Sequence, residues 1–447
     1  MEMKLNFLKN HNTSFRLGVA LLFFSAALIT SILESNYYFM MFFAIFIIVV
    51  CLMLLLKSSV PFLVFLTLYG ILNRFMFYYT DGFPYSFLFI MPLFIMLFFA
   101  DQVWDTLLSM GILRRIFVLV YFIMILYSSF AFSLNDLISS GVAFIAYFVP
   151  VMFVMLRGVY TDDVEKTIKI IFPFIIALFI FQFADKYFYF DRYYFSKVGS
   201  YIFTSLKLGS HYRPFSAFSS AEELSAFLSF TSVLGLFSKS RYLKVVSAVS
   251  FAALILLSSR TGLALTAFTA IYWLLANKKY KYLISFAVII IIIGISANLF
   301  IKETAVKKED SRLEAVVKHT LEPFKSGSGT YSLKKRIESL QKISEDIKRH
   351  PFGKGLTHAE SVLSNNKQEY PIESSALKIS VGGGYPMIGF LIIVYLASLT
   401  AMLKMGNTTE SYFILFAMLA VVFMNGLTMH FIPAIIAMSF VKSAKNQ

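Results

Sequence analysis

The chain has 447 residues, 58% of them hydrophobic and only 15% charged, with a mean hydropathy of +0.74. That balance excludes a soluble globular enzyme and predicts an integral membrane protein. The formal charge of +15 does not point to nucleic acid, because the basic residues stand in short clusters between apolar runs rather than in one interleaved stripe.

A hydrocarbon core of about 30 Å takes roughly 20 apolar residues per helix, so a chain of this length holds a dozen or so spans and one sizeable extramembrane unit. In chain order the apolar runs cover residues 17–33, 37–56, 60–79, 83–100, 116–134, 137–156, 167–184, 222–238, 245–258, 262–276, 282–300 and 385–403. A last block, 411–441, reads as one broken helix or a short hairpin. The first run follows Lys4, Lys9 and Arg16 in the manner of a secretory signal, yet it lacks a small-residue cleavage site and another span follows closely. It reads as a retained helix. Cys51, the single cysteine, lies inside the second run, so no disulfide braces a loop. The expected fold is all-α and polytopic, with about 12 to 14 transmembrane helices. It divides into residues 1–301, which carry the first eleven helices, a large loop 302–384, and C-terminal helices within 385–447.

Positive charge orients the spans. With a cytoplasmic amino terminus, the inner loops receive Lys57, Arg114 with Arg115, Arg157 with Lys166 and Lys169, Lys239 with Arg241 and Lys244, Lys278 with Lys279 and Lys281, and Lys404. Lys442 and Lys445 put the carboxyl terminus on the same side. The outer links Glu34–Asn36, Thr80–Gly82 and Asn135–Asp136 are short and poor in positive charge.

Two outer segments are long, and long translocated segments tolerate Lys and Arg. In 185–221 the aromatic and charged stretch 187–195 suits the headgroup level of a bilayer, with ligand stacking as the alternative. The loop 302–384 contains a helical pattern from Leu333 to Ile347, with Ile337, Leu340, Ile343 and Ile347 on one stripe. Pro and Gly in Arg349-His350-Pro351-Phe352-Gly353-Lys354-Gly355 stop it. Gly382-Gly383-Gly384 precedes a membrane helix rather than following a strand, so it reads as a hinge and not as a phosphate cradle.

The chemistry is carried by arginine. Arg213 stands in His211-Tyr212-Arg213-Pro214-Phe215-Ser216-Ala217-Phe218, just before the helix that begins near Glu222. Arg260 stands in Ser258-Ser259-Arg260-Thr261-Gly262, at the outer tip of a tight helical hairpin. A guanidinium forks two donors toward phosphate oxygens and stays charged at any relevant pH, so this pair suits a lipid pyrophosphate. Arg213 can instead snorkel to the headgroups, whereas Arg260 between two buried helices must face a wet cavity or a partner. Arg336 opens the amphipathic helix beside Lys334 and Lys335, either as a solvated charge or as a third arm. Arg74, about a turn and a half below the outer end of the third span, either snorkels or lines the same cavity.

The Ser-Ser-Arg-Thr-Gly turn, the Arg-Pro-Phe-Ser-Ala-Phe segment before a helix, and the loop with Arg336 followed by His350-Pro351-Phe352-Gly353-Lys354-Gly355 together resemble the O-antigen ligase and Wzy-type polysaccharide polymerase superfamily, over roughly residues 205 to 405. The resemblance implies a membrane glycosyltransferase of the C type in the bacterial cytoplasmic membrane. It would act at the outer face on glycans carried by undecaprenyl pyrophosphate, as both donor and acceptor, with membrane lipids and a chain-length regulator as partners and no cofactor. In the ligase branch a histidine taken as the catalytic base begins a His-[Asn/Ser/Gln]-x9-Gly pattern at the end of the large loop; the matching stretch here is Glu373-Ser374, nine residues, and then Gly384. That substitution moves the expectation from ligase to polymerase. Arg213 and Arg260 would stabilise the leaving pyrophosphate, Glu373 would accept the acceptor's proton, and Arg336, Arg74, His211 and Glu222 would line the substrate site, with Glu222 and Glu223 as reserve bases. No metal is demanded, because the arginines supply the charge and the six histidines show no ligand spacing. The rival readings are the ligase and a lipid-linked sugar flippase. The second is weakened by the absence of an internal repeat and by charges gathered at one face.

Overall fold

A computed structural model describes residues 37–56, 60–68, 112–130, 161–184, 207–218, 221–281, 330–356, 375–405 and 411–420, with small gaps inside these ranges, and a few helical residues at 95, 104–108 and 140–144. Nearly all of this is helix. The elements are α1 (Tyr37–Leu56), α2 (Ile112–Phe130), α3 (Thr161–Ala184), β1 (Lys207–Leu208), β2 (His211–Tyr212), α4 (Ala221–Phe237), α5 (Arg241–Leu257), α6 (Arg260–Ala276), α7 (Thr330–Arg349) and α8 (Ser375–Met405). Among the described residues two helical stretches are long and apolar enough to cross a membrane, Val164–Ala184 and Ala376–Thr400. Shorter apolar helices run over Ala44–Met53, Val118–Phe130 and Arg260–Ala276. The expected runs 17–33 and 282–300, most of 60–100, 137–156 and 421–441, and the aromatic stretch 187–195 lie outside the described residues.

The described residues are helical as expected, with one short hairpin besides. β1 and β2 pair antiparallel, Lys207 with Tyr212 and Leu208 with His211. Only Gly209 and Ser210 separate them, and a two-residue link containing Gly is what a tight hairpin requires. Two residues per strand give no period-two alternation to read, so the hairpin left no pattern in the sequence.

Helix α4 is the centre of the first bundle. From Leu224 to Gly235 every residue is buried, with Leu224, Phe227, Leu228 and Phe230 almost wholly enclosed, as expected of a helix packed on all sides. The packing is close because the contacting residues are small. A Cβ at Gly235 would collide with the Ser247 side chain on α5, and the Ser247 hydroxyl donates to the Ser232 carbonyl. Thr231 Oγ1 meets Ser250 Oγ at 2.7 Å. Small and hydroxylated residues thus let the helix backbones approach and tie them across the interface. Hydroxyls also return to their own helices: Thr231 Oγ1 donates to the Phe227 carbonyl at 2.9 Å and Thr269 Oγ1 to that of Leu265 at 2.9 Å.

A second bundle is formed by α2, α7 and α8. Tyr121 of α2 packs on Phe390 of α8 with ring centroids 5.9 Å apart, and Ile343 and Ile347 of α7 close on Val381, Leu377 and Ile388 of α8. The segment 411–420 joins the bundles. Tyr395 of α8 donates to the Met418 carbonyl at 2.9 Å, Phe416 meets Phe230 of α4, and Tyr412 meets Tyr272 of α6 while its hydroxyl lies 3.2 Å from Asn277 Nδ2. Outward faces are apolar: Ile123 on α2, Ile180 on α3, Val245 on α5 and Ile393 on α8 are all exposed.

Candidate functional site

The Ser-Ser-Arg-Thr-Gly turn is a two-residue connection between α5 and α6. Ser258 takes the left-handed conformation, φ 54° and ψ 38°, and its N–H returns to Ile255 O to cap α5. Ser259 is the N-cap of α6, its hydroxyl accepting from Gly262 N at 3.2 Å. The turn is seated on α4: the Ser259 and Ser225 hydroxyls share a short hydrogen bond, and Ser229 Oγ donates to the Gly262 carbonyl at 3.0 Å. A Cβ at residue 262 would strike Ser225 Oγ and approach Leu254 Cδ2 and Ser229 Oγ to 2.9 Å, which explains the glycine. Arg260, half-buried, therefore opens α6 from a fixed base. Glu222, exposed in the first turn of α4, stands one turn from Ser225, so the two positions share a corner.

The segment after β2 is docked onto the end of α3 by a residue that sequence reasoning missed. Gln182 Oε1 accepts from Phe215 N at 3.0 Å and from Ser216 N at 2.6 Å. Ser216, at φ 52°, donates its hydroxyl to the Ile175 carbonyl at 2.6 Å. Phe215 and Phe218 are buried, and Phe218 packs on Phe227 of α4. A lone amide in the apolar run 167–184 was the available signal. Buried donors and acceptors need partners, and Gln182 is the partner of two backbone N–H groups.

In the loop, α7 ends where α8 breaks. Gly384 has φ 64° and ψ −154°, which divides α8. The Val381 carbonyl would ordinarily accept from Tyr385 N–H, and the Gly382 carbonyl would face Pro386, which has no N–H. Instead Lys354 N–H donates to Val381 O at 3.0 Å and Gly355 N–H to Gly382 O at 2.9 Å, while Tyr385 N–H donates to Pro351 O at 2.8 Å. The Pro351–Gly355 turn thus replaces the interrupted helix bonds. It fits because Gly353 and Gly355 adopt φ 93° and because a Cβ at Gly353 or Gly384 would run into the opposing backbone. Tyr127 of α2 donates to Phe352 O at 2.9 Å, and Lys354 Nζ pairs with Asp346 Oδ1 at 2.6 Å. The expected hinge is a kink whose backbone groups are tied.

These three units lie at one end of the helices. Tyr412 sits at Asn277, beyond the carboxyl end of α6, so Arg260 lies at the other end. The Tyr395–Met418 bond and the five residues between Met405 and Ser411 make α8 antiparallel to 411–420, which runs from Tyr412 at Asn277 to Phe416 beside Phe230. The Gly384 break and the Pro351–Gly355 turn therefore fall on the Arg260 end, as do Gln182 with Phe215 and, through Phe352, the carboxyl end of α2. Of the expected site residues, Arg260 and Glu222 are described fully. His211 lies in β2 and Arg336 in α7, with only their backbones described, and Arg74, Arg213 and Glu373 fall outside the described residues. No cluster of three metal-ligating side chains occurs among the described residues. One further residue was missed: Lys378, whose side chain is buried on α8.

No protein-family model, curated protein or solved structure matches the chain.

Proposed function

We propose that this chain is a multi-pass enzyme of the bacterial cytoplasmic membrane, with both termini in the cytoplasm. It polymerises polysaccharide by joining undecaprenyl-pyrophosphate-linked repeat units at the outer face. The observation that carries the reading is the gathering of the Ser-Ser-Arg-Thr-Gly turn, the Pro-Phe-Ser-Ala-Phe anchor and the Pro351–Gly355 turn at one end of an assembly whose helices are tied by buried hydroxyls and whose outer faces are apolar. Membrane embedding is supported by the two spanning-length helices and by apolar outer faces combined with hydroxyl bonds between helices, since exposed Ile, Leu and Phe and interhelical Ser and Thr suit a lipid solvent.

In the reaction a hydroxyl of the acceptor sugar attacks the anomeric carbon of the donor. The carbon–oxygen bond to pyrophosphate breaks, and the configuration inverts. Charge grows on the leaving phosphate oxygen, where Arg213 and Arg260, with Arg336, oppose it by fixed positive charge. Glu373 takes the proton of the attacking hydroxyl. Arg74, His211 and Glu222 line the glycan side.

Reconstitution into vesicles with purified lipid-linked repeat units tests this directly. A ladder of longer glycans is expected, lost in Arg260→Ala and Arg213→Ala while protein abundance is unchanged. Transfer to a core-lipid acceptor would instead identify a ligase, and movement of the substrate without new linkage a flippase. Loss of a single preorganised donor to developing negative charge typically lowers turnover about 10²- to 10³-fold. Full activity in both variants would remove the clamp.

A further inference from the structure

Helix α7 carries more apolar surface than α8 covers. At about 100° per residue, Ile343 and Ile347 define the direction that meets α8, and both are buried. Ile337 and Leu340 belong to the same apolar arc but are turned to one side of it, and each is 48% exposed. The opposite arc is charged and exposed: Glu338, Lys342, Glu345 and Arg349. Over Thr330–Arg349 the basic residues outnumber the acidic by six to three (Lys334, Lys335, Arg336, Lys342, Lys348 and Arg349 against Glu338, Glu345 and Asp346).

The position of this helix says what the open arc meets. Ile343 and Ile347 are one turn apart, about 6 Å, yet they reach Leu377, Val381 and Ile388 on both sides of the Gly384 break. So α7 nests in the elbow of α8, where the apolar run beginning at Tyr385 starts. Tyr385 is itself 52% exposed, and its N–H is held by Pro351, next to Phe352 at 62% exposure. Two exposed aromatic side chains at the start of an apolar run mark the level where rings settle between hydrocarbon and headgroups.

We infer that α7 is a membrane-surface helix whose Ile337 and Leu340, with Phe352 and Tyr385, enter the headgroup and acyl boundary of an anionic lipid leaflet. The excess of Lys and Arg supplies the complementary charge. This rests on the membrane embedding proposed above and not on the glycosyl-transfer chemistry, so it stands or falls separately from the polymerase assay.

The test uses the full chain with Cys51→Ser in nanodiscs of phosphatidylethanolamine and phosphatidylglycerol. Single nitroxide labels are placed at Ile337→Cys, Leu340→Cys, Glu338→Cys and Glu345→Cys, and their collision with oxygen and with a water-soluble nickel chelate is compared. Labels at 337 and 340 should favour oxygen, and labels at 338 and 345 should favour nickel. Equal access of nickel to all four would overturn the proposal, as would protection of 337 and 340 from both reagents, which means a protein cover. Photolabelling of the unaltered chain with a phosphatidylglycerol bearing an acyl-chain diazirine gives a second reading independent of the variants. Adducts between 337 and 352 are expected, and their confinement to other segments would also overturn it.

Discussion

At the scale of single residues, the groups nearest the proposed chemistry are held by neighbours that do no chemistry themselves. Gln182 satisfies the N–H groups of Phe215 and Ser216. Gln182→Leu keeps the volume but orphans two buried donors, a change of about 1–3 kcal/mol for each unsatisfied group. The expected outcome is a lower unfolding temperature in detergent and weakened chain extension, with Arg260 itself intact. At Arg260 the expected contrast is between Lys and Ala. Arg260→Lys keeps the charge and loses the fork, so in the reconstituted assay it should retain part of the activity that Arg260→Ala loses. An equal loss in both would show that fork geometry, and not charge alone, carries the effect.

At the scale of elements, the decisive feature is the exchange of hydrogen bonds between the Pro351–Gly355 turn and the interrupted α8. Gly384 occupies a region of φ and ψ that is essentially reserved for glycine, and forcing another residue there costs on the order of 1–3 kcal/mol before any collision is counted. In Gly384→Ala the new Cβ also meets Pro351 O and Gly353 N. Amide exchange should then quicken at Lys354, Gly355 and Tyr385, whose N–H groups make the joint, while α4 to α6 stay protected. Uniform exchange across both bundles would show that the joint is not a local unit.

At the scale of the molecule, one end of the helices carries the turns at Arg260 and Gly384 and the other carries Asn277 and Tyr412. In the orientation proposed above the Arg260 end faces outward, so alkaline phosphatase fused after residue 260 should be active and fused after residue 279 inactive. The reverse pattern would turn the protein over and remove access to lipid-linked glycan on the outer leaflet.

Much of this was legible in the chain because lipid and helix geometry impose strong periodicities. The run 37–56 coincides with α1, and the runs at 222, 245 and 262 agree with α4, α5 and α6 to within a few residues. Helix ends were less legible, since α3 begins six residues before its apolar run, through Asp162, Asp163 and Glu165, and polar residues in a first turn leave no hydrophobic signal. The stripe on α7 was read correctly as helical, but not that its amino-terminal half would stay uncovered. Which side of an apolar arc is buried depends on a partner distant in sequence.

The sequence by itself determined the helical class, the tight turn at Ser258–Ser259 and the end of α7 at Pro351, because composition, capping residues and proline act through the nearest few residues. Only the tertiary structure decided that Gln182 holds the segment after β2, that Gly262 is small to admit Ser225 and Ser229, and that two glycine-rich stretches about thirty residues apart complete each other's backbone bonds. The physical reason is that a buried donor or acceptor must find a partner without that partner having to be near in the chain, so its identity appears only when the helices are brought together.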